Sequence, residues 1–345
     1  MRVVFFVQGE RVPAARARGF EVARRLEAAG QPCEVRVPRP SVYGDTRLPT
    51  WLAWPRPLFS LAAVVTRAFH LRDLRNDDLV YLQRPMVEFP TLFFERRVSR
   101  GRRSIFDFDD AIYLNRYSRR KFFRLIAEVD HVVAGNPILA EAAGAPSKTT
   151  VIPTVVDCQR LRPRQREPRR GRDVVIGWTG LSVNYQQLLT VLPVLERVLA
   201  RTGAKLRLLS NQPPPAPLAR LGAEYRRWDP VTEADELGDM DIGLMPLPDS
   251  PYARGKCAYK LLQYMAMAIP GVASPVGANR QVVTDGVDGL LPADDSAWEK
   301  ALIDLIGDPQ QRAAIGAAAR ARVESAYSYD AVLPRYLDLF KKLSQ

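Results

Sequence analysis

The feature that most constrains the fold is an alternation of short apolar runs with helical patterns, which occurs twice along the 345-residue chain. Short apolar runs bounded by helical periodicity are typical of buried strands. Strands are predicted at 3–7, 34–37, 79–83, 104–108, 131–134 and 150–153 in the first half, and at 174–178, 205–210, 241–245 and 272–274 in the second. Strands that alternate with helices predict an α/β chain with parallel, doubly wound sheets.

The two alternating halves are separated by the stretch 162–172, whose only apolar side chains are prolines. Such a composition is typical of a solvated linker. The predicted division is an N-terminal domain at 1–160, a basic linker at 161–173, a C-terminal domain at 174–328 and a final helix at 329–345. Because ligands of such sheets bind beyond the carboxyl ends of the strands, we expect a cleft between the two domains to hold the site.

The charge of the chain points to acidic partners. It carries 50 lysines and arginines against 38 aspartates and glutamates, a net charge of +12, which suits nucleotides, anionic lipid head groups or nucleic acid. Three scattered cysteines predict neither a disulfide framework nor a zinc site. No run of about 18 apolar residues predicts a membrane-spanning helix. We expect a protein of the cytoplasm.

Basic residues cluster where a helix of the second half begins. Lys256 and Lys260 stand one helical turn apart near the start of a helix predicted at 258–267, and Arg254 precedes them. Cations are unfavourable at the partially positive start of a helix unless an anion binds there. We therefore expect these side chains to neutralise a diphosphate, with simple exposure to solvent as the alternative for each one.

A turn that contains glycine follows the first strand of the second half. Gly177, Thr179 and Gly180 lead from that strand toward the next helix. Glycine allows the backbone to approach a phosphate closely, but the segment is not a G-x-G-x-x-G fingerprint and no Walker lysine follows. The turn is predicted on the phosphate side of the site, together with Asn279 at the start of a later helix.

Three carboxylates close a strand of the first half. Asp107 and Asp109 alternate onto one face, and Asp110 follows at the strand end. Asp109 and Asp110 are the candidate catalytic residues, as a general base or as contacts to substrate hydroxyls. Capping of the next helix is the competing interpretation, and a metal-binding D-x-D pair is less favoured because no histidine or further carboxylate accompanies it.

Other polar residues follow strands of the first half and should meet at the same edge. Arg16 and Arg18 come after the first strand, and Asn136 comes after another. We expect all three to contact a second substrate, although helix capping suits Asn136 equally well.

Between 43 and 70, aromatic and basic residues are mixed in a way that suits the interface of an anionic membrane. Packing in a core is the alternative for each aromatic side chain. The residues concerned are Trp51, Trp54, Phe59, Phe69, Arg47, Arg56 and Arg67.

Taken in order, these segments resemble bacterial family 4 (group 1) glycosyltransferases of the GT-B fold, over nearly the whole chain. The resemblance is carried by 16–18, 106–112, 133–136, 151–157, 176–181, 241–247 and 255–277. It implies two Rossmann-like, doubly wound domains facing a cleft, with a nucleotide-sugar donor in the C-terminal domain and an acceptor in the N-terminal one. It also implies a last helix that crosses back to the N-terminal domain, and transfer with retention of configuration and without a metal.

The chain departs from the family pattern at the E-x7-E motif. Gly255 and Gln263 stand where the two glutamates are usual. The second glutamate usually contacts the donor ribose, and the amide of Gln263 keeps the capacity to bind a hydroxyl. The usual Arg and Lys after the first strand of the C-terminal domain are also absent, so Lys256 and Lys260 are expected to take over the diphosphate.

The sequence thus predicts a retaining glycosyltransferase that moves a sugar from a nucleoside diphosphate sugar to a glycan or lipid-linked acceptor in cell-envelope polysaccharide synthesis, with no metal or other cofactor. Its predicted partners are the donor, the acceptor and an anionic surface on the inner face of the membrane, and not nucleic acid. The missing glutamates favour an alternative, a non-catalytic GT-B subunit that binds nucleotide or glycan. A nucleic-acid binder is supported by charge alone.

Overall fold

The computed structural model describes residues 1–10, 12–39, 56–87, 89–163 and 173–345, with the backbone alone for 56–61 and 63. These residues form two compact units. The first unit consists of Met1–Thr154 and Val332–Gln345, and the second unit of Val155–Ala331. The second unit begins before the predicted linker because Val156 and Leu161 are buried in its core. Residues 164–172 of that linker lie outside the described residues.

A parallel sheet is the centre of the first unit. Its described strands are β1 (Val3–Phe6), β2 (Cys33–Arg36), β3 (Leu79–Gln83), β4 (Ser104–Phe108), β5 (His131–Ala134) and β6 (Thr149–Val151). They pair in the order β2-β1-β3-β4-β5-β6, each neighbour parallel to the next. β1, β3, β4 and β5 are buried along their whole length, as expected for strands of an α/β sheet covered on both faces.

Helices connect the strands of the first unit. They are α1 (Pro13–Ala15), α2 (Glu21–Ala28), α3 (Arg56–Phe69), α4 (Phe93–Ser99), α5 (Arg119–Glu128) and α6 (Pro137–Ala143). A π-helical turn at Arg16–Phe20 joins α1 to α2, so the winding of the helical segment changes there. Such turns are rare, and they recur at functional sites.

The sheet of the second unit is also parallel. Its described strands are β7 (Val175–Thr179), β8 (Lys205–Ser210), β9 (Glu224–Arg227), β10 (Ile242–Met245) and β11 (Gly271–Ala273), in the order β11-β10-β7-β8-β9. The sequence pattern does not predict β9. This strand lies at the sheet edge, carries three charged residues and is partly exposed, so it contains no apolar run.

The helices of the second unit are α7 (Tyr185–Leu189), α8 (Leu192–Thr202), α9 (Ala216–Ala219), α10 (Glu233–Gly238), α11 (Pro251–Arg254), α12 (Tyr259–Ala266), α13 (Asn279–Val282), α14 (Asp295–Gly307) and α15 (Pro309–Ala326). The helical stretch between β7 and β8 is divided into α7 and α8. Pro193 lies in the first turn of α8, and a proline cannot donate the hydrogen bond that would continue α7.

Most of the last helix, α16 (Tyr329–Ser344), belongs to the first unit. Its Tyr336 and Phe340 rings lie 6.3 and 6.2 Å from the ring of Tyr81 on β3, measured between ring centres. The chain therefore returns to the first unit after completing the second. In the described part of the chain, no helix combines the length and apolar character needed to cross a membrane.

Candidate functional site

Helix α12 is held against the carboxyl edge of the second sheet by a buried tyrosine. Tyr264 Oη accepts a hydrogen bond from the backbone N–H of Thr179 at 3.0 Å and donates one to the carbonyl of Leu244 at 3.2 Å. Gly243 leaves room for the ring, because a Cβ there would overlap it. Helix α12 is thereby fixed beside the ends of β7 and β10, at the edge where α/β sheets bind their ligands.

Lys260 of this helix lies over the end of β7. Its Nζ is 5.4 Å from the centre of the Trp178 ring, within the range of a cation–π interaction. Gly180 permits this approach, since a Cβ there would lie 2.7 Å from Lys260 Cε and 2.8 Å from Trp178 Cη2. The structure therefore brings Gly180 and Lys260 together, as the sequence predicts.

The other two cations of the predicted cluster have different surroundings. The half-buried Lys256 places its Nζ 4.9 Å from the centre of the Tyr252 ring. Arg254 is exposed and pairs with Asp249, with 2.6 Å between Nε and Oδ1. The hydrogen bond between them raises the pKa of Arg254 and lowers the pKa of Asp249. Arg254 thus belongs to a surface ion pair, whereas the two lysines are packed on aromatic rings.

The turn before α12 has an unusual backbone. Ala258 adopts a φ of +53°, in the left-handed region that a residue with a Cβ rarely enters. Gly277, with a φ of +55°, packs on the backbone of Arg254 so closely that a Cβ would overlap the Arg254 carbonyl. The loop after β11 therefore rests directly on this turn, and unfavourable backbone conformations of this kind recur at ligand-binding sites.

Gln263, the predicted ribose contact, takes part in a buried network. Its Nε2 donates a hydrogen bond of 2.9 Å to Glu233 Oε1, which also accepts one of 2.8 Å from Trp228 Nε1. Arg160 pairs with the other carboxylate oxygen at 2.6 Å. Although burial opposes the charge of Arg160, the attraction of Glu233 raises the pKa of that arginine. Glu233 thus fixes the orientation of the Gln263 amide.

Two residues of the predicted phosphate side support the fold. Gly177 lies within β7, where a Cβ would overlap Met240, so it is a packing position and not part of the turn. Asn279 is buried, and its Nδ2 donates a hydrogen bond of 2.9 Å to the carbonyl of Ser274. The assignment of Gly177 to the turn is corrected, because Gly177 packs inside the sheet; Asn279 holds the loop that follows β11, and its contact with the donor stays a prediction.

Arg18, predicted to contact the second substrate, lies in the interior of the first unit. It and Asp107 are completely buried and form an ion pair, with Nη2 2.5 Å from Oδ1. Arg18 Nη1 also donates to the carbonyl of Ile152 at 2.9 Å. Burial opposes the charge of Arg18, but Asp107 raises the pKa of the arginine well above its usual value. The assignment of Arg18 to substrate contact is corrected to an internal ion pair.

Asp109 and Asp110 share one arginine at the carboxyl edge of the first sheet. Arg84 Nη2 lies 2.8 Å from Asp109 Oδ1 and 2.8 Å from Asp110 Oδ2. Burial raises the pKa of Asp109, but the charges of Arg84 and Arg18 outweigh this effect and hold it below its usual value. A carboxylate held in its ionised form is a weak general base, so Asp109 suits substrate positioning better than proton abstraction. Asp110 is more exposed than Asp109.

Asn136 caps α6, and its Oδ1 accepts a hydrogen bond of 2.9 Å from the backbone N–H of Leu139. The capping interpretation of this residue is therefore the one observed. Arg16 is partly buried at the start of the π-helical turn.

Of the mixed aromatic and basic residues between 43 and 70, Trp51, Trp54 and Arg47 lie outside the described residues, as do the side chains of Phe59 and Arg56. Phe69 is exposed, whereas Arg67 is buried and donates hydrogen bonds to the carbonyls of Val7 and Arg36.

Among the residues that the structure describes, no three side chains of His, Cys, Asp or Glu come together as metal ligands. Transfer without a metal stays a prediction.

Comparison with known proteins gives a family similarity for the second unit and a fold for the whole chain. Residues 173–308 match the model of the family described as glycosyl transferases group 1. The second unit is thus similar to group 1 glycosyltransferases over most of its length. The resemblance deduced from the sequence is thereby confirmed at the level of group 1, while the assignment to family 4 stays a prediction. No curated protein sequence matches the chain significantly.

The whole chain is similar to solved structures of low sequence identity. Anabaena HepE in complex with UDP and glucose has 15% identity over 99% of both chains, with a TM-score of 0.70. Sucrose-phosphate synthase of Thermosynechococcus elongatus has 15% identity over 99% of this chain and 98% of its own, with a TM-score of 0.71. The lipopolysaccharide outer core galactosyltransferase WaaB in its apo form has 14% identity over 99% of this chain and 100% of its own, with a TM-score of 0.62. These similarities confirm the predicted GT-B fold.

The second unit contains residues beside the candidate site that the sequence pattern does not identify. Glu233 accepts from Gln263 and is itself held by Arg160 and Trp228, and Tyr264 anchors α12. Glu233 lies 30 residues before Gln263 in the chain, and no spacing rule connects the two. Gly243 is the one sequence feature that indicates the position of Tyr264, because a glycine inside a buried strand indicates the close approach of a large neighbour.

Proposed function

We propose that the protein is a retaining glycosyltransferase that moves a sugar from a nucleoside diphosphate sugar to a glycan or lipid-linked acceptor, in cell-envelope polysaccharide synthesis. The observation that carries the proposal is Lys260, positioned by Gly180 and Trp178 over the end of β7 in a unit similar to group 1 glycosyltransferases. Two proteins of similar fold support it: the HepE complex with UDP and glucose supports the donor, and WaaB supports the envelope setting.

The geometry suits stabilisation of a diphosphate leaving group. When the bond between the anomeric carbon and the diphosphate oxygen breaks, negative charge grows on the phosphate. Lys260, Lys256 and the partially positive start of α12 lie within one short segment, and we assign them to stabilise that charge. Thr179 and Gly180 supply the turn beneath it, and the Gln263 amide, oriented by Glu233, is assigned to the ribose hydroxyls.

The acceptor is assigned to the carboxyl edge of the first sheet. Asp110, which keeps access to solvent beside Arg84, is the residue that we expect to contact an acceptor hydroxyl. Arg16 and Asn136 are assigned to the same side of the reaction as supporting residues. No metal is needed for these roles, and excess chelator should leave transfer unchanged.

Calorimetric titration with UDP, GDP and dTDP tests the donor assignment. At least one of them should bind, and Lys260→Ala should weaken that binding by roughly tenfold to a hundredfold, the effect of a lost charge-assisted hydrogen bond. Lys300→Ala is the matched control, because Lys300 is an exposed lysine of α14 that pairs only locally with Asp304. Absence of binding by all three nucleotides at millimolar concentration would refute the donor assignment.

Gly255 supports a second candidate, a non-catalytic subunit that binds nucleotide or glycan. It leaves the place of the usual first glutamate without a side chain, next to the surface pair of Arg254. Donor hydrolysis or sugar transfer by the purified chain alone excludes this candidate. Nucleotide binding without either reaction, in the presence of the corresponding nucleotide-sugars, would favour it.

A further inference from the structure

We propose that the outer face of α5, with the turn that precedes it, binds the surface of an anionic lipid bilayer. This α5 face consists of Leu114, Arg116, Tyr117, Arg120, Phe123 and Arg124 in the first unit. It differs from the membrane segment predicted between 43 and 70 and is independent of it.

Three large apolar side chains of the α5 face are turned to solvent. Tyr117 is 75% exposed, Leu114 is 40% exposed and Phe123 is 37% exposed. The opposite side of the helix is buried through Phe122, Leu125 and Ile126. Helix α5 thus has a conventional core-facing side, and its solvent side carries additional exposed apolar surface, where the Phe123 ring also packs on buried Phe122 with 5.2 Å between ring centres. Exposed apolar clusters rimmed by charge mark interaction sites.

The helix presents this face in a fixed orientation. Lys121 is buried and forms an ion pair of 2.7 Å with Glu95 of α4. Its Nζ also donates hydrogen bonds to the carbonyls of Val87 at 2.7 Å and Phe89 at 3.2 Å. At the other end of α5, Glu128 pairs with Arg96, with 2.7 Å between Nε and Oε2. The apolar side chains therefore do not turn inward by rotation of the helix.

The charge of the face selects the partner. Residues 111–127 contain four arginines and one lysine but no aspartate or glutamate. Arg116 lies 5.0 Å from the centre of the Tyr117 ring, and Arg119 lies 5.8 Å from that of Phe123. Aromatic rings interleaved with arginines suit the level of lipid head groups, where rings enter the acyl boundary and cations meet phosphate. Nucleic acid would satisfy the arginines, but it would not bury Leu114.

The position of the face gives it a role. It begins directly after the carboxyl edge of the first sheet, where Asp110 is bound to Arg84. A bilayer bound there would hold a membrane-anchored acceptor beside Asp110. This consequence, a lipid-linked acceptor, rests on the proposed function, whereas the binding of lipid does not.

Co-sedimentation with vesicles tests the proposal. The full chain should bind vesicles of phosphatidylglycerol and phosphatidylcholine, bind pure phosphatidylcholine weakly, and lose affinity as salt rises. The double variant R120E/R124E should lose roughly twentyfold or more, because each basic side chain near an anionic surface contributes about fivefold. R201E/R220E is the matched control, since it makes the same change in net charge on exposed arginines of the second unit. An equal loss of vesicle affinity in both variants would show that net charge alone causes the binding, and it would overturn the proposal.

A second variant tests insertion of the rings. Tyr117→Ser with Phe123→Ser keeps the charge and should reduce vesicle binding at 0.5 M salt by roughly tenfold, since the apolar contribution is not screened. Binding of random duplex DNA that exceeds vesicle binding at equal salt would assign the face to nucleic acid and overturn the proposal. UDP affinity should remain that of the wild type in every α5 variant. Vesicle binding without binding of UDP, GDP or dTDP would therefore refute the proposed function alone, and nucleotide binding without vesicle binding would refute the α5 face alone.

Discussion

The carboxyl edges of the two sheets both carry charged residues, and they differ in what those residues touch. At the first edge, Arg18 and Asp107 are buried against each other, and Arg84 holds Asp109 and Asp110. At the second edge, Lys256 and Lys260 are half-buried and packed on aromatic rings. The difference teaches that the surroundings of a charge, and not its place after a strand, decide whether it serves the fold or suits the proposed diphosphate site.

The largest expected effect comes from breaking the interior pair of the first unit. Arg18→Ala leaves Asp107 as an uncompensated buried charge, which costs about 3–5 kcal/mol of unfolding free energy. Urea unfolding followed by circular dichroism measures this loss. The apolar double variant Arg18→Met with Asp107→Leu should recover most of it, because no buried charge is left.

Arg24→Ala is the control for that experiment, since Arg24 forms an exposed ion pair with Glu21 and should contribute less than about 0.5 kcal/mol. If Arg18→Ala unfolded at the same urea concentration as Arg24→Ala, Arg18 would belong to the surface after all.

Substitutions of two glycines at the second edge should distinguish an effect on stability from an effect on nucleotide affinity. Gly177 lies within β7, and Gly180 lies in the turn that follows it. Gly177→Ala should destabilise the protein by about 1–3 kcal/mol, because the new Cβ overlaps Met240 inside the sheet. Gly180→Ala should displace Lys260 and weaken UDP binding by roughly tenfold, with a smaller change in stability. Urea unfolding and calorimetry on both variants measure the two effects.

The opposite pattern, with UDP affinity lost in Gly177→Ala and kept in Gly180→Ala, would place the phosphate away from both the turn at Gly180 and Lys260.

A smaller effect is expected in the buried network that holds Gln263, the predicted ribose contact. Glu233→Gln removes the charge that pairs with Arg160 and leaves a single acceptor oxygen for its three donors, so the Gln263 amide is held less firmly. UDP affinity should fall by roughly fivefold, the share of one oriented hydrogen bond. Asp235→Asn, an exposed change on the same helix, is the control in the calorimetric titration. An unchanged affinity in Glu233→Gln would show that the network supports the fold alone.

The smallest effect is a pH dependence at the first edge. The pKa of Asp109 is lower in the folded protein than in the unfolded chain, where an aspartate titrates near pH 3.9. Its contribution to stability is therefore present above about pH 4 and is lost as the pH falls through the folded value. Asp109→Asn should cost about 1 kcal/mol at pH 7 and much less near pH 2, as measured by urea unfolding. A cost that is the same at both pH values would exclude an ionised, paired Asp109.

Periodicity predicts most of the fold, because buried parallel strands are apolar runs that the sequence shows directly. It does not predict β9, whose charged residues form an edge strand through backbone pairing with β8. In the candidate site, proximity along the chain predicts Lys256, Lys260 and Gly180. It does not predict that Gly177 packs on Met240 or that Glu233 meets Gln263, because these contacts depend on how helices lie over the sheet. Arg18 was misassigned since its partner Asp107 is 89 residues away.

The return of α16 to the first unit has a consequence for how the protein is made. Tyr336 and Phe340 cover Tyr81 only after the ribosome has produced the entire second unit. Until then, the nascent first unit keeps an apolar face of β3 open while the second unit can already fold around its own sheet. A truncation at 331 should therefore leave the second unit intact and turn the first into a substrate for chaperones and proteases.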